Sequence, residues 1–216
     1  MSYSIKISQI MSRFFKISTI ATAIFLTACG SPTDPSKDNF KTAIQAFLDT
    51  KGGVCVDVPA QSVPFKLELN NPISHNGVVL AEALVDAGLL NKQDAQVKAP
   101  FDGGVRPGRE YNVTSAGSAY LVKPKSYAMG ARDSFCTGKY KILEVGEFTE
   151  PRTMDGKVMT QVNFSYSVSD RADWSETPSL QAAHRVLREN SAAQLKQKAV
   201  LIQTDSGWVH EMLYSW

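Results

Sequence analysis

The alternation of apolar and polar side chains in the second half of the chain most restricts what this sequence can fold into. Between residues 161 and 169 every second side chain is apolar and those in between are polar. The apolar set is Val162, Phe164, Tyr166 and Val168, and the polar set is Gln161, Asn163, Ser165 and Ser167. A period of two residues predicts an antiparallel strand with one face on a core and the other in water.

Three more strands are predicted around this one, over residues 138–148, 197–205 and 207–216. Asp205-Ser206-Gly207 predicts a hairpin between the last two, because glycine adopts the backbone angles of tight turns. A helix is predicted over residues 177–190, with its apolar side formed by Leu180, Ala183, Val186 and Leu187. Residues 136–216 are therefore predicted to form a four-stranded antiparallel sheet with one helix on one face, in the order ββαββ.

Residues 39–122 mix both periods, so the chain as a whole is predicted to be α+β. A helix over residues 40–51 would bury Phe40, Ala43, Ile44, Phe47 and Leu48. Two short strands, VCVDV and PFKLEL, precede a second helix, VVLAEALVDAGLL. The glycine-rich FDGGVRPG is predicted to be a loop, followed by a strand and a short helix capped by Thr114. Residues 123–135 are the predicted connection to the second module.

Two segments of the first module, LAEALVDAGLLNK and YNVTSAGSAYL, resemble signatures of winged-helix domains. The resemblance covers roughly residues 40–122 and implies a winged-helix-like fold. Such domains often bind DNA, but the helix over residues 77–90 carries Glu82 and Asp86 and no lysine or arginine. A recognition helix needs basic or amide side chains for phosphates and base edges. No nucleic-acid partner is therefore expected.

The first 28 residues have the layout of an export signal. Residues 1–16 carry three basic and no acidic side chains, and residues 17–26 form an apolar run too short to span a bilayer. Next comes Leu26-Thr27-Ala28-Cys29, which resembles the lipobox of bacterial lipoproteins. The resemblance implies that residues 1–28 are removed, that Cys29 carries lipid, and that residues 29–38 are a flexible tether. In Gram-negative bacteria, aspartate directly after the lipidated cysteine tends to retain a lipoprotein at the inner membrane. Here that position is Gly30, so the resemblance favours the outer membrane, with the protein facing the periplasm.

The remaining cysteines form a pair. With Cys29 lipidated, Cys55 and Cys136 are left in an oxidising compartment, which predicts a disulfide across 81 residues of separation. Loop entropy would make it worth about 4 kcal/mol. Loss of three of the 23 basic residues with the signal leaves 20 against 21 acidic ones. A near-neutral surface also argues against non-specific nucleic-acid binding.

The sequence offers no catalytic constellation. His75, His184 and His210 lack metal-ligand spacing, and no nucleophile motif or phosphate loop is present. No catalytic residue, cofactor or metal is therefore expected. Trp174 lies in a polar segment, where an indole either covers a core or contacts a partner.

These observations favour a lipid-anchored envelope protein, not an enzyme, that binds or scaffolds another envelope protein. One alternative is a periplasmic sensor that binds a small ligand or a glycan, in part through aromatic side chains of the second sheet. A second is a hydrolase that uses His184 or His210 beside a carboxylate such as Glu176 or Glu211.

Overall fold

A computed structural model describes residues 30–98 and 103–215, and the segment Ser31–Trp216 is one compact unit. The helices are α1 (Lys37–Asp49), α2 (His75–Asp86), α3 (Ser115–Ser118), α4 (Pro178–Ala183) and α5 (Arg185–Glu189). The strands are β1 (Val54–Asp57), β2 (Phe65–Glu68), β3 (Leu90–Lys98), β4 (Val105–Val113), β5 (Leu121–Val122), β6 (Ser134–Thr137), β7 (Lys139–Phe148), β8 (Arg152–Met154), β9 (Lys157–Ser169), β10 (Leu195–Thr204) and β11 (Gly207–His210). Cys29 and the predicted signal lie outside the described residues.

The strands form three antiparallel sheets, which confirms the α+β class. The small sheets have the orders β1-β6-β5 and β2-β4-β3. The large sheet has the order β11-β10-β9-β7, with β8 added beside β9, and it curls into a half-barrel. Its four main strands are those predicted from the period of two, although β11 ends at His210 and a short 3₁₀ turn follows.

The helix that covers the large sheet is α1, not the one predicted between the strand pairs. Phe40, Ile44 and Phe47 of α1 are buried in one core with Val162 and Phe164 of β9. Gln45 of α1 also holds the edge strand β7: it donates to the Tyr140 carbonyl at 3.0 Å and accepts from the Ile142 amide at 2.9 Å. The five buried side chains of α1 all belong to this core with the sheet.

The helix predicted over residues 177–190 is broken at His184 into α4 and α5. Its predicted inward residues Leu180 and Leu187 are buried, but they lie in a second core with Leu84 of α2 and Val56 of β1. Each core thus takes residues from both sides of the predicted linker 123–135. The division into modules at that linker stays a prediction.

The hairpin β3–β4 was predicted only in part: the strand expected after FDGGVRPG is the end of β4, and β3 was not predicted. Its nine paired positions run from Leu90 opposite Val113 to Lys98 opposite Val105, and part of the predicted FDGGVRPG loop belongs to β4. Most of β3 is exposed, so it lacks the apolar alternation that marks a half-buried strand. Pairing alone defines it.

Glu82 on α2 fixes the helix to this hairpin. Its carboxylate accepts hydrogen bonds from Arg109 at 2.6 Å, from the fully buried Tyr111 hydroxyl at 2.7 Å, and from Lys92. Burial raises the pKa of Glu82, but these three donors outweigh it and hold the pKa below its ordinary value. The basic side chains Lys92 and Arg109 are thus already paired within the fold.

The disulfide between Cys55 and Cys136 is present. The two residues lie directly opposite each other on β1 and β6, with their Cα atoms 4.0 Å apart. Residues 134–137, at the end of the predicted connection, thereby become a strand between β1 and β5.

The predicted flexible tether is held on the fold over residues 31–36. The Trp208 indole donates to the carbonyls of Thr33 at 3.0 Å and Asp34 at 3.1 Å, and Gln203 donates to the Thr33 carbonyl at 2.7 Å. Gly207, at a φ of +130°, lets the Pro32 carbonyl approach closely: a Cβ there would lie 3.2 Å from it. These contacts form because a buried indole N–H needs an acceptor and this backbone supplies two. The flexible tether over residues 29–38 stays a prediction.

Candidate binding groove on the large sheet

The face of the large sheet opposite α1 carries an open polar groove of about 520 Å³. We call it the outer groove and define it by six side chains from β7, β9 and β10. They are Glu144, Glu147, Asn163, Ser165, Lys196 and Lys198. Its volume lies within the range of small-ligand sites.

The period of two along β9 produces the floor of the groove. Val162 and Phe164 face α1 and are buried, so Asn163 and Ser165 face the opposite way. The sequence predicted this polar face of β9, but it did not indicate that neighbouring strands would build walls beside it.

Strand β7 forms an acidic wall. Its pairing with β9 is irregular in two places, between Ile142 and Glu144 and between Val145 and Phe148. Bulges of this kind re-aim side chains and occur next to functional sites. On a regular strand, residues three positions apart point to opposite faces. The bulges instead place both Glu144 and Glu147 along the groove.

Strand β10 forms a basic wall. Lys196 lies opposite Ser165 and Lys198 lies opposite Asn163, while Glu144 lies opposite Ser165 on the other side. Because neighbouring strands are about 4.8 Å apart, the backbones of the two walls are about 10 Å apart. A row across the groove thus runs from an acidic side chain on β7, through an uncharged polar side chain on β9, to a basic side chain on β10. Glu144, Ser165 and Lys196 form such a row.

The four charged side chains of the outer groove have no ion pair among the described residues. All four belong to exposed residues. Elsewhere on the chain carboxylates such as Glu82 and Glu176 are paired with arginine. The groove therefore keeps opposite charges separated and available.

Ser165 is the unusual group of the floor. The residue is 5% exposed, and its hydroxyl has no hydrogen-bond partner within the described parts of the chain. An unsatisfied buried polar group costs about 1–3 kcal/mol. Such a group in a groove is a natural contact for a ligand.

Gly146 keeps the middle of the groove open. A Cβ at this position would lie 3.4 Å from the Asn163 carbonyl oxygen and 3.7 Å from the Asn163 Cβ. Any larger side chain would therefore stand over Asn163 and fill space between the walls.

No hydrogen bond joins His184 to Glu176 among the described residues. His184 is half-buried between α4 and α5, and its Nδ1 has no partner among the residues described. Burial lowers its pKa, and the charge of Asp57 opposes this shift. Glu176 instead pairs with Arg171 at 2.8 Å.

His210 is a core residue. It is 5% exposed, its ring stacks on Phe47 at 3.7 Å, and its Nδ1 accepts from the Met212 amide at 3.2 Å. Burial, helped by the charge of Lys51, lowers its pKa. Within the described chain no hydrogen bond joins His210 to Glu211. The third histidine, His75, is exposed at the start of α2.

Trp174 is 6% exposed and packs edge-on against Tyr120 at 5.8 Å between ring centroids. It belongs to the core with α2 and β1, so it does not present the exposed indole that a partner contact needs. Of the aromatic side chains expected on the second sheet, Trp208 is buried. Tyr140 and Tyr166 remain half-buried beside a smaller pocket of about 290 Å³.

In residues 30–98 and 103–215 no cluster of three or more His, Cys, Asp or Glu side chains is placed to hold a metal ion. No helix in the same ranges is long and apolar enough to cross a membrane. Comparisons of the chain with known protein families, curated proteins and solved structures find no match.

Proposed function

We propose that this chain is a lipid-anchored binding protein of the bacterial cell envelope, without enzymatic activity, held at the outer membrane and facing the periplasm. The lipobox resemblance of Leu26-Thr27-Ala28-Cys29 supports the anchor. The Cys55–Cys136 disulfide supports an oxidising compartment. The observation that carries the binding role is the outer groove, with separated charges on its walls and an unpartnered hydroxyl on its floor.

An envelope protein is the first candidate partner. The groove lies on a sheet face that no helix of the described chain covers, and its polar walls suit a protein segment. A small ligand is the second candidate, favoured by the groove volume of about 520 Å³. A glycan would find aromatic rings in the smaller pocket beside Tyr140 and Tyr166.

We also infer that the first module retains part of the winged-helix layout. Support comes from the order β2-β4-β3 and from α2, which precedes the hairpin β3–β4. On this proposal the module is structural or faces a protein, because Glu82 neutralises the basic side chains of the hairpin nearest to α2. Fold alone does not assign function.

The anchor is tested by Cys29→Ser in cells, with palmitate labelling and membrane fractionation as readouts. We expect wild type to carry label and to sediment with outer membranes, and the variant to lose the label and to be released or remain unprocessed. Ser31→Ala is the matched control and should behave as wild type. Fractionation of Cys29→Ser with membranes, as for wild type, would refute the anchor.

The partner is tested by placing a photoreactive amino acid at Asn163 in the lipidated protein and irradiating intact cells. We expect crosslinks from this position to one envelope component and none from Glu150, an exposed position just beyond β7. Equal capture from both positions would refute a specific partner in the groove.

A further inference from the structure

We propose that the outer groove binds a short peptide that carries both a free ammonium group and a free carboxylate. The proposal rests on the binding role proposed above and develops its second candidate, the small ligand, by naming the ligand class. It is carried by the placement of Glu144 and Glu147 on one wall and of Lys196 and Lys198 on the other.

The dimensions fit this ligand. The two walls are the first and third of three neighbouring strands, so their backbones are about 10 Å apart. An extended tripeptide spans about 10 Å at 3.3–3.6 Å per residue. Its ammonium can reach the carboxylates of β7 while its carboxylate reaches the ammonium groups of β10.

The floor fits the middle of the same ligand. The Asn163 side chain has both donors and an acceptor, and the Ser165 hydroxyl can donate and accept. Peptide amide groups offer the complementary atoms. The Ser165 hydroxyl has no partner among the described residues, so a bound peptide would satisfy it.

The pairing of charges excludes simpler ligands. A simple anion would bind at the lysines but be repelled by the two carboxylates across the groove. A simple cation would bind at the carboxylates but be repelled by the two lysines. Only a ligand with both charges uses both walls without repulsion. A neutral sugar could hydrogen-bond to either wall but would bring no charge to pair with it.

The test measures binding to the full-length lipidated protein in a non-ionic detergent by titration calorimetry. The probes are trialanine, N-acetyl-trialanine, trialanine amide and chitotriose. We expect saturable binding of trialanine, weakened at least about tenfold by blocking either end, and no binding of chitotriose. Absence of saturable trialanine binding up to about 10 mM, equal binding of all three peptides, or preference for chitotriose would each overturn the proposal.

Variants locate the site and assign each wall. Glu144→Gln should weaken trialanine but hardly affect N-acetyl-trialanine, and Lys196→Met should weaken trialanine but hardly affect trialanine amide. Glu150→Gln and Lys139→Met change exposed charges outside the groove and should leave binding unchanged. Equal losses in the groove variants and the controls would overturn the assignment.

A steric variant tests the groove without a change of charge. Gly146→Val places a side chain over Asn163 and should abolish trialanine binding, with the thermal unfolding temperature measured alongside to confirm folding. Normal binding by a folded Gly146→Val protein would overturn the site. None of these outcomes bears on the anchor, which the Cys29→Ser fractionation decides separately.

Discussion

At the scale of one residue, the Ser165 hydroxyl is expected to lower the stability of the fold while it contributes to the proposed binding. Its hydroxyl is buried without a partner, so the folded protein loses the hydration that this group has in the unfolded chain. A chain selected for stability alone would have an apolar side chain at such a position. The hydroxyl fits the ligand contact that we propose for the outer groove.

Ser165→Ala should therefore stabilise the protein by about 1 kcal/mol, because it removes an unsatisfied hydroxyl with almost no change in volume. For a domain of this size we expect the unfolding temperature to rise by about 2–4 °C in calorimetry. The same variant should bind trialanine more weakly. Ser167→Ala, on the same polar face of β9, is the control and should change stability little; destabilisation by Ser165→Ala would contradict the unsatisfied state of its hydroxyl.

At the scale of elements, Glu82 joins α2 to the hairpin β3–β4, and this joint depends on pH. Glu82→Gln should cost about 1 kcal/mol at pH 7, a value that allows for solvent screening of a partly exposed group. The pKa of Glu82 is lower in the folded chain than in the unfolded one, so its ionised carboxylate stabilises the folded state. This stabilisation is fully present at pH values above the unfolded pKa of about 4.3.

Urea unfolding of both proteins from pH 7 to pH 3 measures this effect. The stability advantage of wild type over Glu82→Gln should persist down to about pH 4.3 and shrink as the pH falls through the folded pKa. Glu110→Gln disrupts the more exposed pair with Lys66 and should show a much smaller difference. A Glu82→Gln deficit that does not change with pH would mean that its cause is packing and not charge.

The disulfide links strands that are 81 residues apart in sequence. The double variant Cys55→Ser/Cys136→Ser should lose about 4 kcal/mol of unfolding free energy in urea. Dithiothreitol should lower the stability of wild type towards this value and leave the double variant unchanged. Insensitivity of wild type to full reduction would show that β1 and β6 do not need the bond.

Elements with a regular period could be predicted from the sequence, and their partners could not. The strands of the large sheet follow from alternation at Val162, Phe164 and their neighbours, and the helix at Phe40 follows from its apolar stripe. That α1 covers the large sheet while α4 and α5 pack on α2 depends on long-range packing, which a local pattern does not contain. Strand β3 was missed because an exposed strand has no burial pattern.

The outer groove was only half predictable for similar reasons. The polar face of β9, with Asn163 and Ser165, was evident, but a solvated face of any sheet has the same pattern. The walls depend on which strands flank β9 and on two bulges in β7. The burial of Trp174 and the contacts of residues 31–36 were not evident, because a polar local sequence does not report burial by distant elements.

For the whole molecule, the contact between Trp208 and residues 31–36 decides how the chain leaves its proposed anchor. Trp208→Phe keeps the ring but removes the N–H that donates to Thr33 and Asp34. We expect faster hydrogen exchange over residues 31–36 in the variant, measured by mass spectrometry. Trp174→Phe is the matched control: its indole N–H has no partner among the described residues, so exchange over residues 31–36 should not change.

Unchanged exchange in Trp208→Phe would mean that Gln203 and the packing of Pro32 on Gly207 suffice to hold the segment.

The same contact sets the reach of the protein. If lipid is attached at Cys29, a free chain up to α1 would allow the folded part to move up to about 28 Å from the bilayer. With residues 31–36 held on the fold, the two residues up to Ser31 allow only about 7 Å. The folded part would then lie close to the lipid headgroups, and its rotation would be restricted. A partner or a peptide would have to come to the membrane surface to be captured, and a distant layer of the envelope would be out of range.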